Sequence, residues 1–165
     1  MKDKLQQYGE LGLGSRLKRL SEYMMKEIQL VYANSHIDFD PYLFPIFKVI
    51  IDLESATTTN IQEALQYTQP AITQALKKLI AKKLVTYKID KVDKRKKIFK
   101  LSSTGREIHQ KMLPLWNVID EQVKWLTEGS ATSLTRHLTH IENQLKEKSL
   151  SQRILEKYDV DQMKE

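Results

Sequence analysis

The sequence contains no cysteine among its 165 residues. Disulfide frameworks, thiolate metal sites, cysteine nucleophiles and thiol redox switches are therefore excluded. Glycine-rich phosphate loops, nucleotide-binding fingerprints and paired carboxylates in a catalytic context are also missing. His137 and His140 lie three residues apart, but no cysteine or carboxylate cluster accompanies them. We therefore expect no enzyme, no metal site and no cofactor.

Long hydrophobic runs are absent as well. The most apolar stretch, residues 42–53, is interrupted by Pro45, Lys48 and Asp52, and residues 1–8 lack the apolar core of a signal peptide. A membrane-spanning helix needs about 20 mostly apolar residues. With 41% hydrophobic residues and a length typical of one domain, we expect a folded, soluble, cytoplasmic protein that does not enter a membrane.

The positive charge is distributed unevenly along the chain. The net charge is +6, yet residues 77–106 alone contain twelve basic and two acidic residues, a net +10, which leaves −4 for the remainder. A concentrated basic segment is typical of a protein that binds a phosphate backbone. A solvated lysine-rich surface would have the same composition, so charge alone does not decide between the two.

Apolar periodicity predicts two helices in the first third of the chain. The first has about twenty residues and ends near residues 34–35, before a turn that contains Asp38 and Pro41. Its apolar stripe consists of Leu13, Leu17, Leu20, Met24, Ile28 and Val31. The second helix runs from Tyr42 to Glu54 and is apolar nearly all round, so we expect it to be buried.

The middle of the chain predicts two further helices and a β-hairpin. A short helix covers residues 60–66, and a second one of roughly sixteen residues begins at Thr68, with Pro70 in its first turn. The second buries the stripe Ile72, Leu76, Leu79, Ile80 and Lys83. Residues 84–90 and 97–101 then alternate in polarity around a polar tip, which is typical of a hairpin.

The last third predicts long helices again. Thr104 and Glu107 have the spacing of a capping box, and the helix that follows, kinked near Pro114, is stopped by residues 128–130. A final long helix has the apolar positions Leu134, Leu138, Ile141 and Leu145. From Ser149 onward the chain is a further helical piece or a loose tail. The whole is a mainly α-helical protein with a small β-hairpin.

Two helices joined by a tight turn and followed by a basic hairpin form a winged helix-turn-helix, whose second helix enters the DNA major groove. Its exposed Gln69, Thr73 and Gln74 suit base edges, and the predicted N-cap Thr68 suits a phosphate. An ion pair between Asp93 and Arg95 would hold the hairpin arginine for the minor groove. The complete set of predicted DNA-binding residues is Thr68, Gln69, Pro70, Thr73, Gln74, Lys77, Lys78, Lys94, Arg95, Lys96 and Lys97.

In this region the sequence resembles the MarR (multiple-antibiotic-resistance regulator) family. The resemblance covers roughly residues 11–147 and is carried by segments 68–74, 83–85, 93–95 and 101–105. The sequence departs from the family at two positions. Lys83 stands where glycine is usual, so the chain would turn less tightly at the end of the preceding helix. Lys94 stands where arginine is common. That second departure leaves Arg95 as the main wing arginine.

The resemblance implies a homodimeric transcription factor on a palindromic operator. Residues 42–105 would form the winged-helix DNA-binding core, and residues 11–35 and 106–147 would interleave with a second copy. Residues 148–165 would be a C-terminal extension of this single domain. The two end helices support dimerisation independently, because each has a long apolar stripe that one small domain cannot cover.

The resemblance also implies a small-molecule site between the dimerisation and DNA-binding parts. Such sites are apolar with a few polar groups, and aromatic residues of the chain would line it; the candidates are Tyr23, Tyr32, Tyr42 and Trp116. A small aromatic effector would then release a repressor from its operator. The same aromatic residues would equally serve as core and interface.

Two other functions remain open from the sequence alone. The chain could be a winged-helix module that binds a protein partner, in which case DNA binding would vanish near physiological salt. It could also be a sequence-indifferent architectural DNA-binding protein, which would bind every duplex without a preferred site. The leading interpretation is a sequence-specific regulator of transcription that binds double-stranded DNA.

Overall fold

The computed structural model describes residues 3–127 and 134–162. The chain divides into two compact units, Met1–Leu113 and Pro114–Glu165, which are treated separately below. Among the described residues, no helix combines the length and the apolar character needed to cross a membrane. The expected architecture, mainly α-helical with one β-hairpin, is confirmed.

Eight α-helices and two strands make up the described part of the chain. In order they are α1 (Lys4–Gln7), α2 (Leu13–Asn34), α3 (Phe44–Asp52), α4 (Thr58–Leu65), α5 (Gln69–Ala81), β1 (Val85–Ile89), β2 (Lys97–Leu101), α6 (Ser103–Leu126), α7 (Leu134–Glu147) and α8 (Leu150–Gln162). Short 3₁₀ turns precede α2 and α3, at Gly9–Gly12 and Pro41–Leu43. The predicted stop at residues 128–130 lies outside the described residues.

The core of the first unit forms where α3, α4, α5 and the hairpin meet. Phe47, Ile61, Ile72 and Leu79 are fully buried there. The loop after α2 adds Phe39, whose ring lies 5.1 Å from that of Phe47. Because these side chains come from separate elements, burying them fixes α5 against the rest of the unit.

The hairpin has a single antiparallel register. Val85 pairs with Leu101 and Ile89 with Lys97, which leaves Val85 and Phe99 on the core face, both buried. The backbone of Ala56 adds one bridge, since its N–H donates to the carbonyl of Phe99 over 3.0 Å and its carbonyl accepts from Phe99 over 2.8 Å. The hairpin base is thus anchored to the segment that precedes α4.

Two of the predicted helices begin and end at other residues than expected. The helix expected over residues 42–54 is the 3₁₀ turn at Pro41–Leu43 followed by α3, because Asp40 caps the turn by accepting from the N–H of Tyr42 over 3.0 Å. It is not buried all round: Phe44 and Leu53 are exposed. The short helix over residues 60–66 is α4, whose Thr57 cap forms a reciprocal capping box with Asn60.

The predicted sixteen-residue helix is the thirteen-residue α5, and Lys83 does not belong to its buried stripe. Lys83 adopts the left-handed region with φ of 57°, the conformation for which glycine is favoured at a helix exit. Its N–H donates to the carbonyl of Ile80 over 2.9 Å. The exit is therefore tightly turned despite the lysine, contrary to the expectation.

The capping box at Thr104 and Glu107 is also wrong. Helix α6 begins at Ser103, and the Ser102 hydroxyl accepts from the N–H of Gly105 over 2.9 Å. The same hydroxyl has one proton to donate and lies 2.5 Å from the carbonyl oxygen of Lys83 and 3.2 Å from that of Leu84. This contact favours Ser102 over Thr104 as the cap, because it joins the helix start to the residues before β1. Helix α6 then continues through Pro114.

Apolar residues remain exposed on the outer helices. In α2, Leu13, Leu17 and Leu20 keep 38–46% of their surface exposed. In the second unit, α7 has no buried residue, and Leu134, Ile141 and Leu145 are exposed. Leu150–Gln162 form α8, in agreement with the helical one of the two expectations, and the exposed apolar side chains among its described residues are Leu150, Ile154, Leu155 and Tyr158.

Candidate nucleic-acid interface

The turn between α4 and α5 begins at Gln66. Gln66 ends α4 in the left-handed region with φ of 55°, and its N–H donates to the carbonyl of Gln62 over 2.8 Å. Thr68 is the N-cap of α5 by backbone conformation, but its side chain makes no capping hydrogen bond. The Thr68 hydroxyl therefore accepts no hydrogen bond from the N–H groups of the first turn of α5.

One face of α5 is exposed along its length, while the opposite face packs into the core. The predicted base-contacting residues Gln69, Thr73 and Gln74 are all on the exposed side. Pro70 is exposed in the first turn. Gln69 is held in place, because its Nε2 donates to Oε1 of Gln62 over 3.2 Å. The face therefore presents amide and hydroxyl groups, the donors and acceptors that base edges match.

The two lysines on α5 have different surroundings. Lys77 is exposed and forms no ion pair within the described part of the chain. Lys78 Nζ lies 3.6 Å from Oδ2 of Asp40, and beyond the helix end Lys82 Nζ lies 2.6 Å from Oδ1 of Asp38. A phosphate would have to compete with Asp40 for Lys78, whereas Lys77 is already available.

The hairpin tip is ordered by two aspartates. The carboxylate of Asp90 accepts from the N–H groups of Val92 and Asp93, each over 2.8 Å. These hydrogen bonds hold the pKa of Asp90 below its ordinary value. Asp93 in turn accepts from the Arg95 backbone over 3.1 Å and from Arg95 Nε over 3.3 Å, so the expected ion pair is present.

The basic side chains of the tip point into solvent. The Arg95 side chain is 93% exposed even though it is paired. Lys96 lies 3.9 Å from Asp93, and Lys94 is exposed. Lys97 differs from these residues, since its Nζ lies 4.4 Å from the centre of the Tyr87 ring. This cation–π contact keeps the ammonium group beside strand β1.

The four residues predicted to line an effector pocket have different surroundings in the structure. Tyr32 is 2% exposed and its ring meets that of Phe39 at 5.9 Å. Tyr42 borders a shallow cleft of about 270 Å³ beside α2, and Tyr23 is 61% exposed on α2. Trp116 belongs to the second unit. The pocket prediction stays untested.

Two features of this region were not predicted from the sequence. One is the pairing of Lys78 with Asp40 and of Lys82 with Asp38. The other is a cavity of about 430 Å³ at the base of the hairpin, with Ile51, Lys100 and Arg106 among its lining residues. Each is built from segments distant in the chain, and no spacing pattern in the sequence connects them.

No protein-family model matches the sequence, and no curated protein matches it either. Solved structures do match. The transcriptional repressor CouR bound to a 23-mer DNA duplex is 22% identical with a TM-score of 0.66, and the match covers 81% of this chain and 96% of that chain. A mutant of MarR from E. coli, complexed with operator DNA, is 20% identical with a TM-score of 0.62, covering 87% and 99%.

A third match is BpsR from Bordetella bronchiseptica, whose DNA binding is regulated by 6-hydroxynicotinic acid. It is 18% identical with a TM-score of 0.57, and the match covers 81% of this chain and 96% of that chain. At these identities the shared property is the fold. The chain has the winged-helix fold of MarR-type regulators, as its sequence motifs led us to expect.

Proposed function

We propose that the chain is a MarR-family regulator of transcription that binds double-stranded DNA as a homodimer and catalyses no reaction. One observation carries this proposal: the exposed face of α5 presents Gln69, Thr73 and Gln74 next in the chain to an ordered, exposed basic hairpin. The exposed amide-bearing helix would supply contacts to base edges, and the cationic wing would supply contacts to phosphates, the two kinds of contact that sequence-specific DNA binding uses.

In this proposal α5 is the recognition helix and enters the major groove. Glutamine side chains suit adenine, which presents an acceptor and a donor together. Thr68, at the helix N-terminus, would bind a phosphate oxygen along with the first-turn N–H groups. Pro70 has no N–H and packs its ring against the DNA surface, while Lys77 reaches the backbone one turn further on.

The hairpin is the wing and supplies most of the charge. Arg95, held by Asp93, would enter the minor groove, because a narrow minor groove attracts arginine. Lys94 and Lys96 would contact the flanking phosphates, and Lys97 would join them by leaving the Tyr87 ring. Lys78 would contribute only after exchange of Asp40 for a phosphate.

The exposed apolar side chains of the outer helices support a homodimer. Large apolar patches rimmed by polar residues are characteristic of protein interfaces, and a symmetric dimer covers the same patch on both chains. The stripe at Leu13, Leu17 and Leu20, together with α7, would be buried in this way. Two recognition helices would then reach successive major grooves about 34–36 Å apart, which matches a palindromic operator.

We propose further that the dimer represses transcription by occupying a promoter and that a small-molecule effector releases it. The proposal draws on CouR, described as a repressor, and on BpsR, described as regulated by 6-hydroxynicotinic acid. An effector acts only through its difference in affinity between the DNA-binding form and a form with misplaced recognition helices. Tyr23, Tyr32, Tyr42 and Trp116 remain the residues proposed for its site.

The experiment is a selection from sheared DNA of the protein's own source at about 0.15 M salt, where nonspecific contacts are weakened. Bound fragments are sequenced, and the mass of the free protein is measured by sedimentation. We expect an inverted repeat with half-sites one helical turn apart, and a mass twice the 19.3 kDa of one chain.

Other outcomes would contradict the proposal. Recovery of DNA without a common motif would favour an architectural DNA-binding protein, and no recovery at all would favour a protein-interaction module. A monomer that selects a single, non-repeated half-site would retain sequence recognition but remove the dimer.

A further inference from the structure

The segment between α2 and the 3₁₀ turn before α3 alternates apolar and acidic residues. Ile37 and Phe39 are buried in the core of the first unit. Asp38 is exposed and Asp40 is half-buried. The two apolar side chains therefore anchor the segment, and the two carboxylates are left outside the core.

Each of these carboxylates pairs with a lysine at the end of α5. Oδ2 of Asp40 lies 3.6 Å from Nζ of Lys78, and Oδ1 of Asp38 lies 2.6 Å from Nζ of Lys82. The two lysines are four residues apart, and residues at this spacing are neighbours on a helix surface. One short segment thus reaches both lysines, and two positive charges are balanced by two negative ones.

The paired lysines continue a row of the proposed recognition helix. Lys78 lies one turn beyond Gln74, which we propose to contact a base, and Lys82 lies one turn further on, directly after the last residue of α5. In the neighbouring row Lys77 is exposed and has no ion pair within the described part of the chain. The cations nearest in sequence to the base-contacting residues are therefore partly neutralised by the chain itself.

The two aspartates cannot leave as mobile salt ions do. Phe39 lies between them in the chain and is 1% exposed, with its ring 5.1 Å from that of Phe47. Oδ1 of Asp40 is fixed further, because it accepts from the N–H of Tyr42 over 3.0 Å. Both carboxylates therefore stay beside the lysines when a duplex approaches, and a lysine whose charge is already balanced displaces fewer counterions from the DNA.

We propose that Asp38 and Asp40 limit the affinity of the chain for DNA of any sequence by balancing the charges of Lys78 and Lys82. The inference rests on the proposed binding of DNA by α5. Phosphates carry no sequence information, so the aspartates set how tightly the chain binds and leave its choice of sequence to the base contacts. Their presence weakens retention on DNA outside the operator, which is held by phosphate contacts.

The test compares the parent with Asp38→Asn and Asp40→Asn on two labelled duplexes of unrelated sequence, by fluorescence anisotropy over a range of salt concentrations. Asparagine keeps the shape of the side chain, and it is also a good cap, so the turn at Tyr42 is preserved. For each lysine that gains a phosphate contact, we expect the affinity at about 0.1 M salt to rise about fivefold to tenfold and the slope, d log K/d log[salt], to steepen by about 0.9.

Two controls separate this effect from net charge and from direct repulsion. Asp52→Asn makes the same charge change at a carboxylate that pairs with Lys48 within α3. Neither of those residues is proposed to contact DNA, so this variant should bind as the parent does. In a Lys78→Gln background, Asp40→Asn should raise the affinity much less. An equal gain in Asp52→Asn, or an undiminished gain without Lys78, would overturn the inference.

The outcomes also separate this inference from the proposed function. If both aspartate variants gain affinity on both duplexes but the genomic selection returns no common motif, the inference stands and sequence-specific regulation fails. If the selection returns a motif and the variants bind both duplexes as the parent does, the inference fails alone. A gain confined to the selected operator would also overturn it, because balanced phosphate contacts act on every sequence.

Discussion

Gln69, the first residue of α5, donates a hydrogen bond from Nε2 to Oε1 of Gln62 on α4 over 3.2 Å. The bond fixes the orientation of the Gln69 amide, so that its Nε2 faces Gln62 and its Oε1 lies on the other side of the amide group. Gln62 itself is not proposed to contact the DNA. It acts as a positioning residue for a side chain that we propose to contact a base.

Substituting Gln62→Ala should therefore loosen the base preference of the operator position contacted by Gln69. The expected loss of discrimination is about 0.5–1.5 kcal/mol, the net value of a neutral hydrogen bond, with little effect at other positions. Competition binding with single-base operator variants measures it. In the Gln69→Ala background, Gln62→Ala should add nothing, and full additivity of the two changes would contradict the coupling.

Lys96 tests the wing as a source of sequence-independent affinity. Lys96→Ala should weaken binding to every duplex by a similar factor and reduce the salt dependence, d log K/d log[salt], by about 0.9 for one lost phosphate contact. Fluorescence anisotropy at four salt concentrations measures the slope. Lys18→Ala on α2, also an exposed lysine, is the control, and an equal change in both variants would count against a specific wing contact.

Gly105 tests the packing of α6 against the hairpin. A Cβ at this position would lie 1.9 Å from the carbonyl oxygen of Leu84, a backbone atom that cannot rotate away. Gly105→Ala should lower the free energy of unfolding by about 1–3 kcal/mol or more, as overpacking does, measured by urea denaturation. Gly14→Ala meets no atom within 4 Å and should be neutral or stabilise by up to about 1 kcal/mol.

His109 makes stability depend on pH in a defined direction. Its pKa is lowered in the folded chain, chiefly by burial, so the unfolded chain takes up the proton first as the pH falls through about 6.5. The free energy of unfolding should consequently decrease below that pH and stay unaffected by this group above it. His109→Gln should flatten the decrease, whereas Lys111→Gln should not; denaturation at several pH values distinguishes them.

The sequence predicted the helices and the hairpin because their patterns are local. Apolar residues at helical spacing located α2, α5, α6 and α7, and polarity alternation located β1 and β2. The four-residue α1 was missed, since it is too short to show a period and is stabilised by its cap, Asp3, which accepts from the N–H of Leu5 over 3.0 Å. The sequence predicted the presence of each of these helices better than the residues at which they begin and end, as α3 and α5 illustrate.

What the sequence could not supply depends on contacts between distant segments. Ser102 and Thr104 are both competent helix caps, and the choice of Ser102 follows from the carbonyls of Lys83 and Leu84, nineteen and eighteen residues away along the chain. The pairing of Lys78 with Asp40 has the same origin. Lys83 shows the reverse case: it adopts the left-handed conformation despite its side chain, and the N–H groups of Lys83 and Leu84 donate to the carbonyls of Ile80 and Leu79 at the end of α5, each over 2.9 Å.

The central claim is that the exposed face of α5 recognises the DNA sequence, and one comparison tests it most directly. The variant with Gln69, Thr73 and Gln74 all replaced by alanine is taken through the same genomic selection as the parent, at the same salt. We expect it to recover DNA through the unaltered wing but to lose the shared motif that the parent selects. Recovery of the parental motif by this folded variant would contradict the account.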